Sequence, residues 1–229
     1  MIGIFDSGVG GFNALYEIRR ASPRADVIYL ADRRNSPYGT KGEEVLCELV
    51  ERDIETLRGL GASRILIACC TASTVYPRLG ESDRMISLPI ITPAALAAAK
   101  YKRVATIATD ATVRSGAFGR EIRRISPDST VAEIAAQRLV ALVEDGARDG
   151  RINRECENLL DSLASEIRGL RADALVLGCT HFSHLEAELT KRLHGVKIIS
   201  PAREGARALL SENRKDIIRG SGKTLYIET

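Results

Sequence analysis

Two cysteines stand out for their surroundings. Ile65-Leu66-Ile67-Ala68-Cys69-Cys70-Thr71 and Ala174-Leu175-Val176-Leu177-Gly178-Cys179-Thr180 are each an apolar, strand-type run that ends in Cys and then Thr. A free thiol titrates at a pH of about 8.5, and the start of a helix draws it toward neutrality, where it can serve as a base or nucleophile. A buried Cys is also a common packing residue. On these residues alone both readings stand, reactive pair or packing. Cys47 and Cys156 fall in helix-period stretches and read as structural. His181 follows Cys179 by two residues, so it is either a proton-transfer partner for the thiol or a structural imidazole. Cys69, Cys70, Cys179 and His181 together make a formal Cys₃His set. Adjacent cysteines are poor zinc spacing compared with C-x₂₋₄-C, so no metal is expected.

These residues need elements to position them. Strand-type runs at 2–5, 27–30, 65–68, 90–91, 104–108, 131–134, 174–177, 196–199 and 225–227 alternate with helix-period segments at 11–21, 41–60, 94–101, 138–145, 154–168 and 182–193. Alternation of this kind predicts α/β architecture with parallel sheets covered by helices on both faces. Ligands bind such sheets beyond the carboxyl ends of the strands. Those ends offer Asp6-Ser7-Gly8-Val9-Gly10-Gly11, Asp32 with Asn35-Ser36-Pro37-Tyr38-Gly39, Cys69-Cys70-Thr71, and Gly178-Cys179-Thr180-His181. The glycine loop is not a dinucleotide fingerprint, because Asn13 stands where the third Gly is required. It reads as a tight strand-to-helix turn whose N–H groups could also hold an anion.

The similarity of the two Cys-Thr strands, half a chain apart, suggests a duplicated α/β unit. Prolines 89, 93 and 201 mark two expected crossings. They give one domain of residues 1–92 plus 202–229 and a second of residues 93–201. The chain of 229 residues has 33 Lys+Arg against 30 Asp+Glu, a formal charge of +3 with both signs interspersed. That gives no polyanion-binding stripe, and aromatics at 4% without Trp give no base-stacking platform, so no nucleic acid is expected. Apolar runs such as 65–70 fall far short of the roughly 20 residues a bilayer requires. Five cysteines without a signal-type leader predict reduced thiols in the cytoplasm.

Four blocks carry a resemblance. Phe5-Asp6-Ser7-Gly8-Val9-Gly10-Gly11, Pro37-Tyr38-Gly39-Thr40-Lys41, Ala68-Cys69-x-Thr71-Ala72-Ser73 and Leu177-Gly178-Cys179-Thr180-His181-Phe182 resemble the signature blocks of glutamate racemase, in the aspartate/glutamate racemase family, in order and over nearly the whole chain. The segment 139–144, ending in Glu144, is similar to a family segment that supplies an acidic helper.

The resemblance implies two similar α/β domains related by a pseudo-twofold axis, with the site in the cleft between them. It implies inversion of glutamate at its α-carbon with no cofactor, making D-glutamate for peptidoglycan. Carried over by position, Cys69 acts on D-glutamate and Cys179 on L-glutamate, while Asp6, Glu144 and His181 set thiol protonation. Asp6, Ser7, Tyr38, Gly39, Cys70, Thr71, Thr180 and His181 would hold the substrate. The expected partner is a small acidic amino acid and the expected assembly a cytoplasmic homodimer without a membrane partner. The chain departs from the family pattern at Cys70, where Asn is usual, at Thr92, where Glu is common, and at Ser183-His184, where Pro-Leu is common. Cys70 favours the alternative of another acidic substrate such as aspartate. A non-catalytic binding protein on the same fold is the third possibility.

Overall fold

The computed structural model describes residues 1–149, 152–212 and 220–229. Strands β1 (Ile2–Asp6), β2 (Val27–Ala31), β3 (Arg64–Ile67) and β4 (Ser87–Pro89) belong to one sheet, and β5 (Arg103–Ala108), β6 (Thr130–Ala135), β7 (Ala174–Gly178) and β8 (Lys197–Ile199) form a second. The last strand, β9 (Thr224–Glu228), returns to the first sheet beside β2. The orders are β4-β3-β1-β2-β9 and β6-β5-β7-β8, and every pairing is parallel.

Parallel strands need crossovers, and helices supply them. In the first half these are α1 (Phe12–Ala21), α2 (Glu43–Gly59), α3 (Cys70–Ser73), α4 (Glu81–Ile86) and α5 (Ile91–Ala98). The second half has α6 (Asp110–Ser115), α7 (Ala117–Ile125), α8 (Gln137–Asp149), α9 (Arg154–Gly169) and α10 (Glu186–Arg192), and α11 (Pro201–Glu212) follows β8. Side chains alternate across each strand and divide the interior into three cores. Phe5, Ile28, Leu30, Ile65 and Ile67 pack outward against α2 residues Leu46, Val50, Ile54 and Leu57. Ala105, Ile107, Leu175 and Leu177 pack outward against α8 and α9. The inner faces of both sheets, through Ile4, Tyr29, Leu66, Val104 and Val176, share one central core with α1, α5, α7 and α11. The molecule is therefore layered helix, sheet, helix, sheet, helix. Packing gives α5 and α11 to neither half alone.

Local signals explain the boundaries. Thr109 Oγ1 accepts the Thr112 N–H and starts α6, and Asn153 Oδ1 accepts the Cys156 N–H and starts α9. Two expectations need correction. The strand expected at 90–91 lies earlier, at Ser87–Pro89, and Ile91 already begins α5. Pro89 lacks an N–H and ends an edge strand, whereas Pro93 sits in the first helical turn, where no N–H is needed. The helix expected over 182–193 is a 3₁₀ segment, Thr180–Leu185, followed by the shorter α10.

Candidate active site

The carboxyl ends of strands from both sheets meet at one small cavity of about 20 Å³. That is room for roughly one water molecule. The first half contributes Ser7 after β1, the 36–39 turn after β2, and Cys69, Cys70 and Thr71 after β3. The second contributes Thr109 after β5, Gln137, Val140 and Glu144 from α8, and Cys179, Thr180 and His181 after β7. Both candidate thiols thus face one space from opposite sheets. Among the described residues, no group of three or more His, Cys, Asp or Glu is arranged to hold a metal ion.

The second half builds a relay. Cys179 Sγ lies 3.6 Å from His181 Nδ1. His181 Nε2 lies 3.0 Å from Glu144 Oε1, an ion-pair contact whose N–H is not well aimed at the oxygen. Burial works against charge on the imidazole, but its contacts with Cys179 and Glu144 and the nearby Asp6 carboxyl outweigh it and push the pKa up to about 11. The site therefore favours an imidazolium at this position.

The first half is built differently. Cys69 Sγ lies 3.6 Å from Ser7 Oγ. Burial pushes its thiol up to about 12; the Asp6 carboxyl adds to this, while the Ala72 N–H and Ser7 hydroxyl oppose it. Asp6 is fully buried and lies beneath the cavity rather than in its lining. Its Oδ2 accepts the Gly8 N–H at 3.1 Å, and its Oδ1 accepts the Thr180 hydroxyl at 3.3 Å. Burial raises its pKa, against the pull of His181 and the loop N–H groups. The N–H groups of the glycine loop turn onto the Asp6 carboxyl of this chain. The glycines serve close approach: a Cβ at Gly10 would overlap the Thr180 side chain, and one at Gly11 would lie 2.6 Å from Asp6 Cβ.

Of the residues expected to hold substrate, Ser7, Tyr38, Gly39, Cys70, Thr71, Thr180 and His181 line the cavity, and Asp6 does not. The Tyr38 hydroxyl turns away from it to Asp32 and Asp53. Thr71 Oγ1 meets Thr109 Oγ1 at 2.9 Å and Thr112 Oγ1 at 3.2 Å, joining the two halves. Cys70 lines the cavity and packs into the central core at once. Thr109 and Gln137 were not among the expected site residues. The strand-end rule reaches both, because they follow β5 and β6.

The geometry has counterparts. The Asp/Glu/Hydantoin racemase family model matches residues 14–209. A glutamate racemase of Aquifex aeolicus is 34% identical over 96% of this chain and 84% of its own length. The crystal structure of a glutamate racemase isoform from Bacillus anthracis superposes with a TM-score of 0.88 at 26% identity, covering all of this chain and 87% of that one. A glutamate racemase from Francisella tularensis, solved with D-glutamate, gives the same TM-score and coverage at 25% identity. With two parallel sheets presenting one Cys-Thr strand end each to a shared cavity, and with the match running over most of its length, the chain belongs to the Asp/Glu/Hydantoin racemase family.

Proposed function

We propose that this racemase interconverts L- and D-glutamate without a cofactor, by two cysteines acting on opposite faces of the α-carbon. The observation that carries the reading is the placement of Cys69 and Cys179 in one cavity, each from its own sheet. An amino-acid α-proton is weakly acidic, so its removal needs a positioned base and a stabilised carbanion. Inversion further needs a proton donor on the other face. In one direction Cys69 as thiolate takes the α-proton of D-glutamate while Cys179 as thiol delivers one to the opposite face. In the other direction the roles reverse. His181, held by Glu144, sets the charge beside Cys179, and Asp6 sets it beneath both loops.

Ser7, Gly39, Thr71 and Thr180, with Thr109 and Gln137 added from the structure, supply the polar lining for a zwitterion with a second carboxylate. An amino acid is larger than the present cavity, so on this reading the lining moves to admit one. The physiological role that goes with this reading is supply of D-glutamate for peptidoglycan by a cytoplasmic homodimer. No helix among the described residues is long and apolar enough to cross a membrane.

Circular dichroism of purified protein with L-glutamate, and separately with D-glutamate, tests the reading. Both solutions should decay to zero ellipticity. A stable signal from glutamate alongside decay with aspartate would move the substrate to aspartate, and no decay with either would leave a binding protein.

A further inference from the structure

Behind the cavity, three buried side chains from three elements meet: Asp32 after β2, Tyr38 in the following 3₁₀ turn, and Asp53 on α2. Tyr38 Oη lies 2.6 Å from Asp32 Oδ2 and 3.0 Å from Asp53 Oδ2. A phenol has one proton, so it can donate to only one of the two carboxyls. Asp32 is the better anion. Its oxygens also receive the Asn35 amide at 2.9 and 3.1 Å, the Arg52 guanidinium at 2.9 Å, and the Thr229 hydroxyl. Besides the phenol, Asp53 receives among the described residues Arg52, at 3.1 Å on Oδ1, so once the phenol proton goes to Asp32 its Oδ2 faces the phenol oxygen's lone pairs. As an anion it would place a second carboxylate beside Asp32 with a single guanidinium between them.

We infer that Asp53, when it carries its proton, donates it to Tyr38 Oη, which donates its own to Asp32, and that this clamp positions the Tyr38–Gly39 turn over the active site. Asp53 is then a positioning residue, acting through a turn whose Tyr38 ring and Gly39 line the cavity. The titratable groups facing the clamp are Asp32, Arg52 and Tyr38 itself, with Cys69 on the cavity side of Tyr38. Burial and then the Asp32 charge push Asp53 up to about 6, against Arg52 and the Tyr38 bond. Burial also opposes charge on Asp32, but its hydrogen bonds outweigh it and hold its carboxyl below the ordinary value. Burial and both carboxyls raise Tyr38, which keeps its proton. A carboxyl whose folded pKa is raised stays protonated below that value and loses the clamp above it. Substrate binding should therefore weaken as pH climbs through about 6 and beyond.

The inference rests on the glutamate reading for its kinetic test only. Carbon-13 and amide NMR of the whole protein reads the clamp without turnover. The Asp53 carboxyl should titrate near 6, and the Gly39 amide should move with the same midpoint. In Asp53→Asn, whose amide donates to Oη at every pH, that Gly39 transition should vanish. Kinetically, KM for glutamate should rise severalfold from pH 5 to 8 in the natural protein relative to Asp53→Asn, with kcat tracking in the two. An Asp53 carboxyl that titrates in the ordinary range, a Gly39 amide that ignores it, or matching KM profiles in the two proteins would each overturn the clamp. If the natural protein does not turn over glutamate, the substrate reading fails, and the NMR result alone decides the clamp.

Discussion

The ends of β3 and β7 have nearly the same sequence pattern and lead to one cavity, yet they surround their thiols differently. Cys69 has the Ser7 hydroxyl beside it and a carboxyl nearby, and burial with that carboxyl disfavours its thiolate. Cys179 has an imidazole that favours the protonated state and is itself braced by Glu144. Repeating a strand and a turn places two sulfurs. What each sulfur does is decided by the loops that arrive from elsewhere in the chain, the Asp6–Gly11 loop on one side and α8 on the other. Thermodynamics limits how far this asymmetry can show. Enantiomers have equal free energy in water, so a racemase must have equal kcat/KM in both directions at every pH. The difference between the two thiols can appear only in kcat and KM separately, in isotope effects, or in exchange without inversion.

The largest effect should come from removing one sulfur at a time. Cys69→Ser and Cys179→Ser should each reduce inversion by on the order of 10²–10⁴-fold, the usual contribution of a positioned proton-transfer group. Exchange should separate them. In deuterated water, Cys179→Ser should still wash deuterium into D-glutamate faster than into L-glutamate, because Cys69 remains, and Cys69→Ser should show the reverse preference. Proton NMR of recovered substrate reads both. Equal exchange of both enantiomers by either variant would erase the assignment of one thiol to each face.

Much of this comparison is legible in the residues themselves. The repeat of strand, Cys and Thr places both sulfurs, and the alternation of apolar runs with helix-period segments predicts two parallel sheets. His181 is visible because it is two residues from Cys179. Glu144 is not legible in that way. It reaches His181 from the second turn of α8, a contact that only the packing of α8 against the Thr180–Leu185 segment creates, and the family resemblance alone suggested it. The family resemblance implies Asp6 among the substrate contacts, and the structure encloses it beneath the cavity instead. Sequence position gives no sign that the glycine loop folds back to enclose it. The resemblance likewise implies Tyr38 among the substrate contacts, and only the tertiary position of α2 turns its hydroxyl toward Asp53. In each case the element was predictable, and the direction of the side chain depended on a distant neighbour.

A smaller effect should follow from the imidazole. His181→Asn removes the group that stabilises charge beside Cys179 and leaves the Cys69 surroundings nearly untouched. Inversion should fall by on the order of ten- to a hundredfold, the lower end of general acid–base contributions. By the equality above, kcat/KM must fall equally in both directions. Deuterium exchange into L-glutamate should fall further than exchange into D-glutamate. A variant that loses both exchange reactions to the same extent would mean that His181 serves the whole cavity rather than one thiol.

The smallest effect, and the sharpest test of the first half, concerns Cys70. Its thiol is 1% exposed, lines the cavity and also belongs to the central core. The Cys70→Asn change replaces a weak hydrogen-bonding group with an amide that needs strong partners. If the amide faces the cavity, glutamate can provide them. The variant should then lose about 1–3 kcal/mol of stability without ligand, the cost of an unpaired buried polar group. Glutamate should recover much of that loss, and its KM should fall several-fold as the amide binds it. Thermal unfolding with and without glutamate, together with a Michaelis series on glutamate and aspartate, measures all three quantities. If the amide instead turns into the central core, the stability loss will persist at saturating glutamate and KM will not move. That outcome would make Cys70 a packing residue and leave substrate choice to Ser7, Thr71 and the residues across the cleft. A gain for aspartate with none for glutamate would instead show that the first half is tuned to the shorter side chain.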